Sequence, residues 1–169
     1  FDTIRVGKPI KDLKKRLAAI TYLDDIGAKF LWEVNAPMLI YTAELIPEIA
    51  DSIVEIGPGK GAITFPIIKH LDHLSAIEID RDLISILKSK EQEKLTIYQA
   101  DALTFDFSQI PNKLRIIGNL PYNISSPLLF HLLDYRKQII DMTFMLQKEV
   151  VDRIVAPPGN KTYGRLSVM

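Results

Sequence analysis

Glycines at alternate positions follow an apolar run in the first half of the chain. Gly57, Gly59 and Gly61 come directly after the β-branched segment Ile53–Ile56, and a helix-compatible segment follows them. An apolar run, a tight glycine turn and a helix are typical of a site where backbone approaches a ligand closely. Such turns usually hold a cofactor that contains adenine. The glycine spacing differs from the G-x-G-x-x-G of nicotinamide enzymes, so the turn alone does not decide the ligand.

Acidic side chains end the next two predicted strands. Glu78 lies 21 residues after Gly57, where a carboxylate can accept hydrogen bonds from both hydroxyls of a ribose. Asp101 and Ala102 close the third strand; the carboxylate there could accept from the amino group of an adenine, although an Asp is also a common helix cap. Together with Glu55 inside the glycine motif, these residues predict a pocket for a nucleoside-containing cofactor.

The segment Asn119–Tyr122 follows the fourth predicted strand and suits methyl transfer to an amino group on a planar ring. Such a nitrogen is a poor nucleophile because its lone pair is delocalised into the ring. The Asn119 side-chain oxygen and the Leu120 carbonyl could accept the two amino hydrogens, and Pro121 would stiffen the turn that holds them. Tyr122 would offer a face on which an extruded base can stack. The plainer alternative is an ordinary Asn-containing turn with a core tyrosine.

Further candidates lie downstream of this segment. Phe144, placed at the end of the fifth predicted strand, could stack on the same base opposite Tyr122 or could belong to the core. Lys148, Arg153 and Arg165 could contact phosphates, or they could form an ordinary solvated helix face.

Length and composition are those of a globular domain. The chain has 169 residues, of which 47% are hydrophobic and 25% charged, with a net charge of zero. An apolar run long enough to cross a membrane is absent, so we expect no membrane association. There is no Cys, which fits a reducing compartment, so we expect a cytoplasmic protein. The three histidines lack the spacing of metal ligands, so we expect no metal site. Basic residues dominate positions 1–20 and could contact phosphates, or they could form an ordinary solvated terminal segment.

Strands alternate with helices along the rest of the chain. The predicted strands are Ile53–Ile56, Leu74–Ile79, Leu95–Ala100, Leu114–Gly118 and Ile140–Leu146. The predicted helices are Ala62–His70, Arg81–Lys90, one that starts at Ser126-Pro127 and runs through Leu128–Leu133, and Lys148–Val155, preceded by one that starts at Asn35. This alternation predicts an α/β fold with a mostly parallel central sheet and helices on both faces.

Six segments of the chain together resemble the S-adenosylmethionine-dependent ribosomal RNA adenine dimethyltransferases. They are Glu55–Gly61, Ala76–Leu83, Asp101–Ala102, Gly118–Ser125, Phe144–Val150 and Tyr163–Val168. The Asn-Leu-Pro-Tyr-Asn-Ile-Ser string at 119–125 and the Leu-Gln-Lys-Glu-Val string at 146–150 favour the branch that acts on small-subunit RNA over the erythromycin-resistance branch. The resemblance begins near Asp51 and extends to the last residue.

The resemblance implies a Rossmann-like class I methyltransferase domain over residues 51–169. It implies S-adenosylmethionine as the cofactor, with contacts from Gly57, Glu78, Asp101 and Asn119. It also implies N6,N6-dimethylation of two adjacent adenosines in small-subunit ribosomal RNA, as a step of ribosome maturation. We expect a monomer whose partner is that RNA.

The N-terminal 50 residues depart from the family pattern. The family usually has a Gly-Gln-Asn/His-Phe-Leu segment that helps to cover the cofactor, and the nearest match here is Gly27–Leu31. Lys29 and Leu31 are therefore candidate cofactor contacts in a divergent, helical and partly basic segment. The family's C-terminal helical domain is absent from this sequence, and the chain begins at Phe1, so we expect a fragment of a longer protein.

Two other functions fit parts of the pattern. A ribosome-assembly or transcription factor could keep the fold and bind RNA or DNA without catalysis. A nicotinamide oxidoreductase would share the glycine turn and Glu78, but it gives no reason for the Asn119–Tyr122 segment.

Overall fold

A twisted six-stranded sheet forms the centre of the computed structural model, which describes residues 2–6, 52–90 and 93–168. The strands are β1 (Asp2–Val6), β2 (Ser52–Ile56), β3 (Leu74–Glu78), β4 (Leu95–Gln99), β5 (Leu114–Asn119) and β6 (Ile139–Leu146). Their order across the sheet is β1-β6-β5-β2-β3-β4. The strands from β2 to β6 pair in parallel, and β1 pairs antiparallel to β6 at one edge.

Helices follow most of these strands in the described part of the chain. They are α1 (Thr64–Ile68), α2 (Arg81–Ser89), α3 (Tyr122–Asp134), α4 (Lys148–Ile154) and α5 (Arg165–Val168). A single 3-10 turn, Phe107–Gln109, lies between β4 and β5. The predicted alternation of strands and helices is confirmed.

Two apolar clusters cover the two faces of the sheet. Along β2, Ile53 belongs to one cluster, while Val54 and Ile56 belong to the other. Because neighbouring residues of a strand point to opposite faces, this division shows that β2 is buried on both sides. The first cluster takes in Ile67 of α1, and the second takes in Leu128 of α3. Helices therefore pack on both faces, which confirms the predicted α/β class.

Most element boundaries lie within two residues of the predicted ones, and the start of α3 is the clearest exception. The Ser126-Pro127 pair predicted a helix start there, because proline is favoured in the first helical turn. The helix instead begins at Tyr122, with Pro121 as its N-cap, and Pro127 lies inside it. The strand β1 was not predicted. The helix expected from Asn35 lies outside the described residues.

A buried ion pair joins the neighbouring strands β5 and β6. Arg115 of β5 and Asp141 of β6 are register partners, and an Arg115 guanidinium nitrogen lies 2.7 Å from a carboxylate oxygen of Asp141. Both side chains are buried. Charges removed from water are stable only when they remain paired, so this contact makes the two strands depend on each other.

Replacing Arg115 alone should destabilise the fold strongly. Arg115→Met removes the guanidinium from its 2.7 Å contact with the buried Asp141 carboxylate, and breaking such a pair costs about 3–5 kcal/mol. Chemical denaturation would measure the loss in the free energy of unfolding. The double variant Arg115→Met/Asp141→Leu should recover part of this loss, and a double variant as unstable as the sum of its single changes would contradict the pairing.

Candidate active site

The glycine turn and the Asn119 segment meet at the junction between β2 and β5. From β2 the chain builds the sheet in one direction through β3 and β4, and then returns to build β5 and β6 on the other side. Ligands of open α/β sheets bind at such a switch point, beyond the carboxyl ends of the strands. Ile56 and Gly118 are register partners here. Gly57 and Asn119, which follow them directly, therefore lie side by side.

Positive φ angles shape the glycine turn. Gly57, Gly59 and Gly61 have φ values of +67°, +57° and +82°, a region that other residues adopt only with strain. The Gly57 N–H donates to the Ile77 carbonyl at 3.0 Å, and the Gly61 N–H donates to the Pro58 carbonyl at 2.9 Å. The turn is therefore held by its own backbone and by β3.

Glu78 is buried beneath this turn and not solvated, with 6% of its surface exposed. One carboxylate oxygen accepts from the Gly59 N–H at 3.1 Å, and the other accepts from the N–H groups of Ile79 and Asp80 at 2.9 and 3.0 Å. A carboxylate offers about four acceptor positions, so three are used. One acceptor position therefore has no donor among the described residues and can accept from a ribose hydroxyl. To accept from the second hydroxyl as well, as the sequence predicted, Glu78 would have to give up one of its backbone hydrogen bonds.

Glu55 is the penultimate residue of β2 and is buried, with 1% of its surface exposed. The Thr64 hydroxyl, at the start of α1, donates to one of its oxygens at 2.7 Å. Loss of hydration on burial raises the pKa of Glu55 to about 7, the Thr64 hydrogen bond opposes this rise, and the nearby Glu78 charge adds to it. Thr64 was not predicted as a site residue; its one signal is a polar residue within the apolar segment 62–68.

Asp101 lies after β4 with its side chain exposed. One of its carboxylate oxygens accepts from the Leu103 N–H at 2.9 Å, so Asp101 caps a turn and not a helix, which was the alternative considered for it. The other oxygen has no hydrogen-bond partner among the described residues and is available to a ligand. Ala102 is buried in the core cluster behind it. The Asp101 carboxylate can therefore cap this turn with one oxygen and still contact an adenine with the other.

The Asn119–Tyr122 segment contains the two predicted acceptors. The Leu120 N–H donates to the Met145 carbonyl at 3.1 Å, and the Leu120 side chain is buried. In the described part of the chain, no group donates to the Leu120 carbonyl, and the side-chain amide of Asn119 makes no hydrogen bond. Tyr122 is 51% exposed and is not a core tyrosine. The two predicted acceptors and the predicted aromatic face are therefore free for a ligand.

Other candidates lie elsewhere. Phe144 is 2% exposed and packs in the core, because β6 continues past it to Leu146; of its two predicted roles, the structure shows the core one. Lys148 pairs with Asp152 at 3.0 Å, and Arg165 lies over the Phe130 ring. Lys148, Arg153 and Arg165 lie at exposed positions on α4 and α5, and their contact with phosphates stays a prediction. The candidates Lys29 and Leu31 lie outside the described residues.

The described ranges, 52–90 and 93–168 among them, contain no group of three or more side chains that could hold a metal ion. They also contain no helix long and apolar enough to span a membrane.

Sequence comparison identifies the family. A family model described as ribosomal RNA adenine dimethylase matches residues 24–169. The chain belongs to this family. A curated relative from Dechloromonas aromatica, named ribosomal RNA small subunit methyltransferase A, is 58% identical over 144 residues, which are 85% of this chain and 56% of that protein. The chain thus spans about half the length of the curated relatives it matches.

Solved structures place the fold with the Rossmann-like methyltransferases. A dimethyladenosine transferase from Plasmodium falciparum superposes with a TM-score of 0.65 at 32% identity, over 79% of this chain and 48% of that one. The 23S rRNA methyltransferase ErmE gives a TM-score of 0.64 at 25% identity, over 78% and 53% of the two chains. The predicted fold class is confirmed.

The buried carboxyl of Glu55 should make stability depend on pH. Its pKa is 4.5 when unfolded and about 7 when folded, so the folded chain holds more protons between these values. The free energy of unfolding should therefore fall as the pH rises through this window, by roughly 3 kcal/mol in total. Glu55→Gln, which cannot ionise, should lack this fall. Urea denaturation from pH 4.5 to 8 measures both proteins, and parallel pH profiles would contradict the assignment.

Proposed function

We propose that this chain is the catalytic part of an S-adenosylmethionine-dependent methyltransferase that dimethylates N6 of two adjacent adenosines in small-subunit ribosomal RNA. The observation that carries the proposal is the pair of free acceptors on Asn119 and Leu120, held beside the glycine turn at the junction of β2 and β5. The chain spans about half of its curated relatives, so the activity of the whole protein is part of this proposal.

The residues around the glycine turn fit this cofactor. Glu78 has one acceptor position left for a ribose hydroxyl, and Asp101 has a free carboxylate oxygen for an amino group on the base. Ile79 is apolar yet 64% exposed beside Glu78, so it offers a surface on which the adenine ring can pack. The buried Glu78 carboxylate favours the positive charge of the methionine end, and Glu55 adds to this where it is ionised. When bound, the cofactor supplies a methyl group on a positively charged sulfur.

The Asn119–Tyr122 segment fits the adenine that receives the methyl group. The Asn119 oxygen and the Leu120 carbonyl accept the two N6 hydrogens, which favours a pyramidal nitrogen whose lone pair leaves the plane of the ring. The exposed face of Tyr122 stacks on the extruded base. Both acceptors are in place before the base arrives, so little orientation is left to be achieved during the reaction.

Two transfers to one nitrogen impose a further requirement. After the first transfer, N6 has a single hydrogen, so one acceptor contact must suffice for the second transfer and the pocket must accommodate a methyl group. Asn119 is only partly buried, which is consistent with such room.

The choice of small-subunit RNA rests on similarity of sequence. The relative named for the small subunit is 58% identical to this chain, whereas ErmE, named for 23S rRNA, is 25% identical. We further propose that the protein is cytoplasmic, since its partner is ribosomal RNA, and that it acts as a monomer.

Asn119→Ala should abolish most methyl transfer while preserving cofactor binding. Loss of a preorganised polar group at the reacting centre typically costs about 100- to 1,000-fold in turnover. The Gly57–Gly61 turn, Glu78 and Asp101 are untouched by this change, so most of the affinity for the cofactor should be retained, with only a small loss for the contact that the resemblance gives Asn119. Transfer of labelled methyl groups to immature small subunits measures turnover, and calorimetry with S-adenosylmethionine measures affinity.

Glu78→Gln is the matched control, because it should show the opposite pattern of losses. The amide keeps one oxygen but replaces the other with a donor, which opposes both the Gly59 N–H and a ribose hydroxyl. Cofactor affinity should therefore fall. A wild-type chain that binds no S-adenosylmethionine would refute the proposal and favour a non-catalytic assembly or transcription factor. Unchanged turnover in Asn119→Ala would refute the role of that side chain.

A further inference from the structure

The turn that carries the two acceptors is fixed on two sides by strands. On the β6 side, the Leu120 N–H donates to the Met145 carbonyl. On the β2 side, Gly118 lies so close to the sheet that a Cβ atom there would be 2.7 Å from the Ile56 carbonyl oxygen. These contacts hold the end of β5, but they leave the path of the chain from Leu120 into α3 to be held by something else.

A buried serine hydroxyl holds that path. The Pro121 carbonyl, at the N-cap of α3, accepts from the backbone N–H groups of Ile124 and Ser125, both at 3.2 Å. It also accepts from the Ser125 hydroxyl at 2.9 Å, the shortest of the three contacts. Ser125 is 0% exposed, so water cannot easily take the place of the hydroxyl if it is removed.

The prolines of this region increase the dependence on that hydroxyl. Pro127 has no N–H, so the carbonyl of Asn123, four residues before it, lacks the usual helical hydrogen bond. The first turns of α3 are therefore held by fewer backbone bonds than those of an ordinary helix. Serine often bonds to the carbonyl four residues earlier, usually with only a local effect on the helix. Here the bonded carbonyl belongs to the residue next to Leu120, whose own carbonyl is a proposed acceptor.

We propose that the Ser125 hydroxyl is a positioning group for base recognition, a role that rests on the proposed function. By fixing the Pro121 carbonyl, it fixes the peptide unit between Pro121 and Tyr122. Because the proline ring restricts the φ angle of Pro121, this limits how far the preceding peptide unit, which carries the Leu120 carbonyl, can turn. The hydroxyl touches neither the glycine turn nor Glu78. Loss of the hydroxyl should therefore slow the chemical step without lowering the affinity for the cofactor.

Three variants of Ser125 in the full chain separate the hydrogen bond from side-chain volume. Ser125→Ala removes the hydroxyl, and Ser125→Cys keeps most of the volume with only a weak donor. Ser125→Thr retains a hydroxyl that can bond to the carbonyl four residues earlier. Ser126→Ala is the matched control, because the Ser126 side chain makes no hydrogen bond within the described residues. Turnover, the KM for RNA, the Kd for S-adenosylmethionine and the Tm are measured for each.

We expect Ser125→Ala and Ser125→Cys to lower kcat by about ten- to a hundredfold, because a displacement near 1 Å can cost about a hundredfold in rate. Both should keep KM, Kd and Tm close to wild type, as should Ser126→Ala with an unchanged kcat. Ser125→Thr should restore turnover; if its extra methyl group lowers the Tm, the alanine and cysteine variants still decide.

Several results would overturn the assignment. Turnover of Ser125→Ala within about twofold of wild type, or a loss of turnover matched by an equal rise in the cofactor Kd or explained by a fall in Tm, would show a purely structural hydroxyl. Cysteine that works as well as serine would show that volume matters and not the hydrogen bond. A wild-type chain that methylates no RNA would overturn the proposed function itself, and this inference with it.

Discussion

The close contact between β2 and β5 is the constraint on which both halves of the site depend. Gly118 faces Ile56 in the register of the two strands, and there is no space for a side chain between Gly118 and the Ile56 carbonyl. The glycine turn continues from one of these strands and the acceptor segment from the other. A larger residue at 118 would have to push the strands apart, and it would separate the cofactor side of the pocket from the base side.

Hydrogen bonds within each half make it rigid before any ligand binds. On the cofactor side, the Glu78 carboxylate accepts three backbone N–H groups and ties Gly59 to the end of β3. On the base side, Leu120 is bonded to β6 and Pro121 to Ser125. Since each half is braced by its own contacts, ligand atoms meet groups that are already oriented, and less of the binding free energy is lost in ordering them.

Local patterns predicted the strands and the residues at their ends, and contacts between distant residues account for what was missed. The carboxyl ends of parallel strands meet at one edge, so the placement of Glu78, Asp101 and Asn119 together followed from the strand prediction. The start of α3 was missed because Pro121, its N-cap, has no side chain that could accept from the first helical N–H groups, whereas Ser126-Pro127 farther along is typical of a helix start. The strand β1 pairs with residues about 140 positions away, and no local pattern reports such a partner. The role of Phe144 depended on where β6 ends.

The charge of the pocket explains why the glycine turn suits S-adenosylmethionine better than a dinucleotide. A pyrophosphate needs free backbone N–H groups, yet the amides of Gly57, Gly59 and Gly61 are all used within the protein. The group bonded to Gly59 is itself a carboxylate, and a second buried acid, Glu55, lies close enough for the two charges to interact. In a region of low dielectric constant the Glu78 carboxylate repels an anion and attracts a cation, and Glu55 adds to this effect in the fraction of molecules in which it is ionised. A ligand with an ammonium and a sulfonium therefore matches the turn, whereas the nicotinamide oxidoreductase that shares its sequence pattern would place negative charge against negative charge.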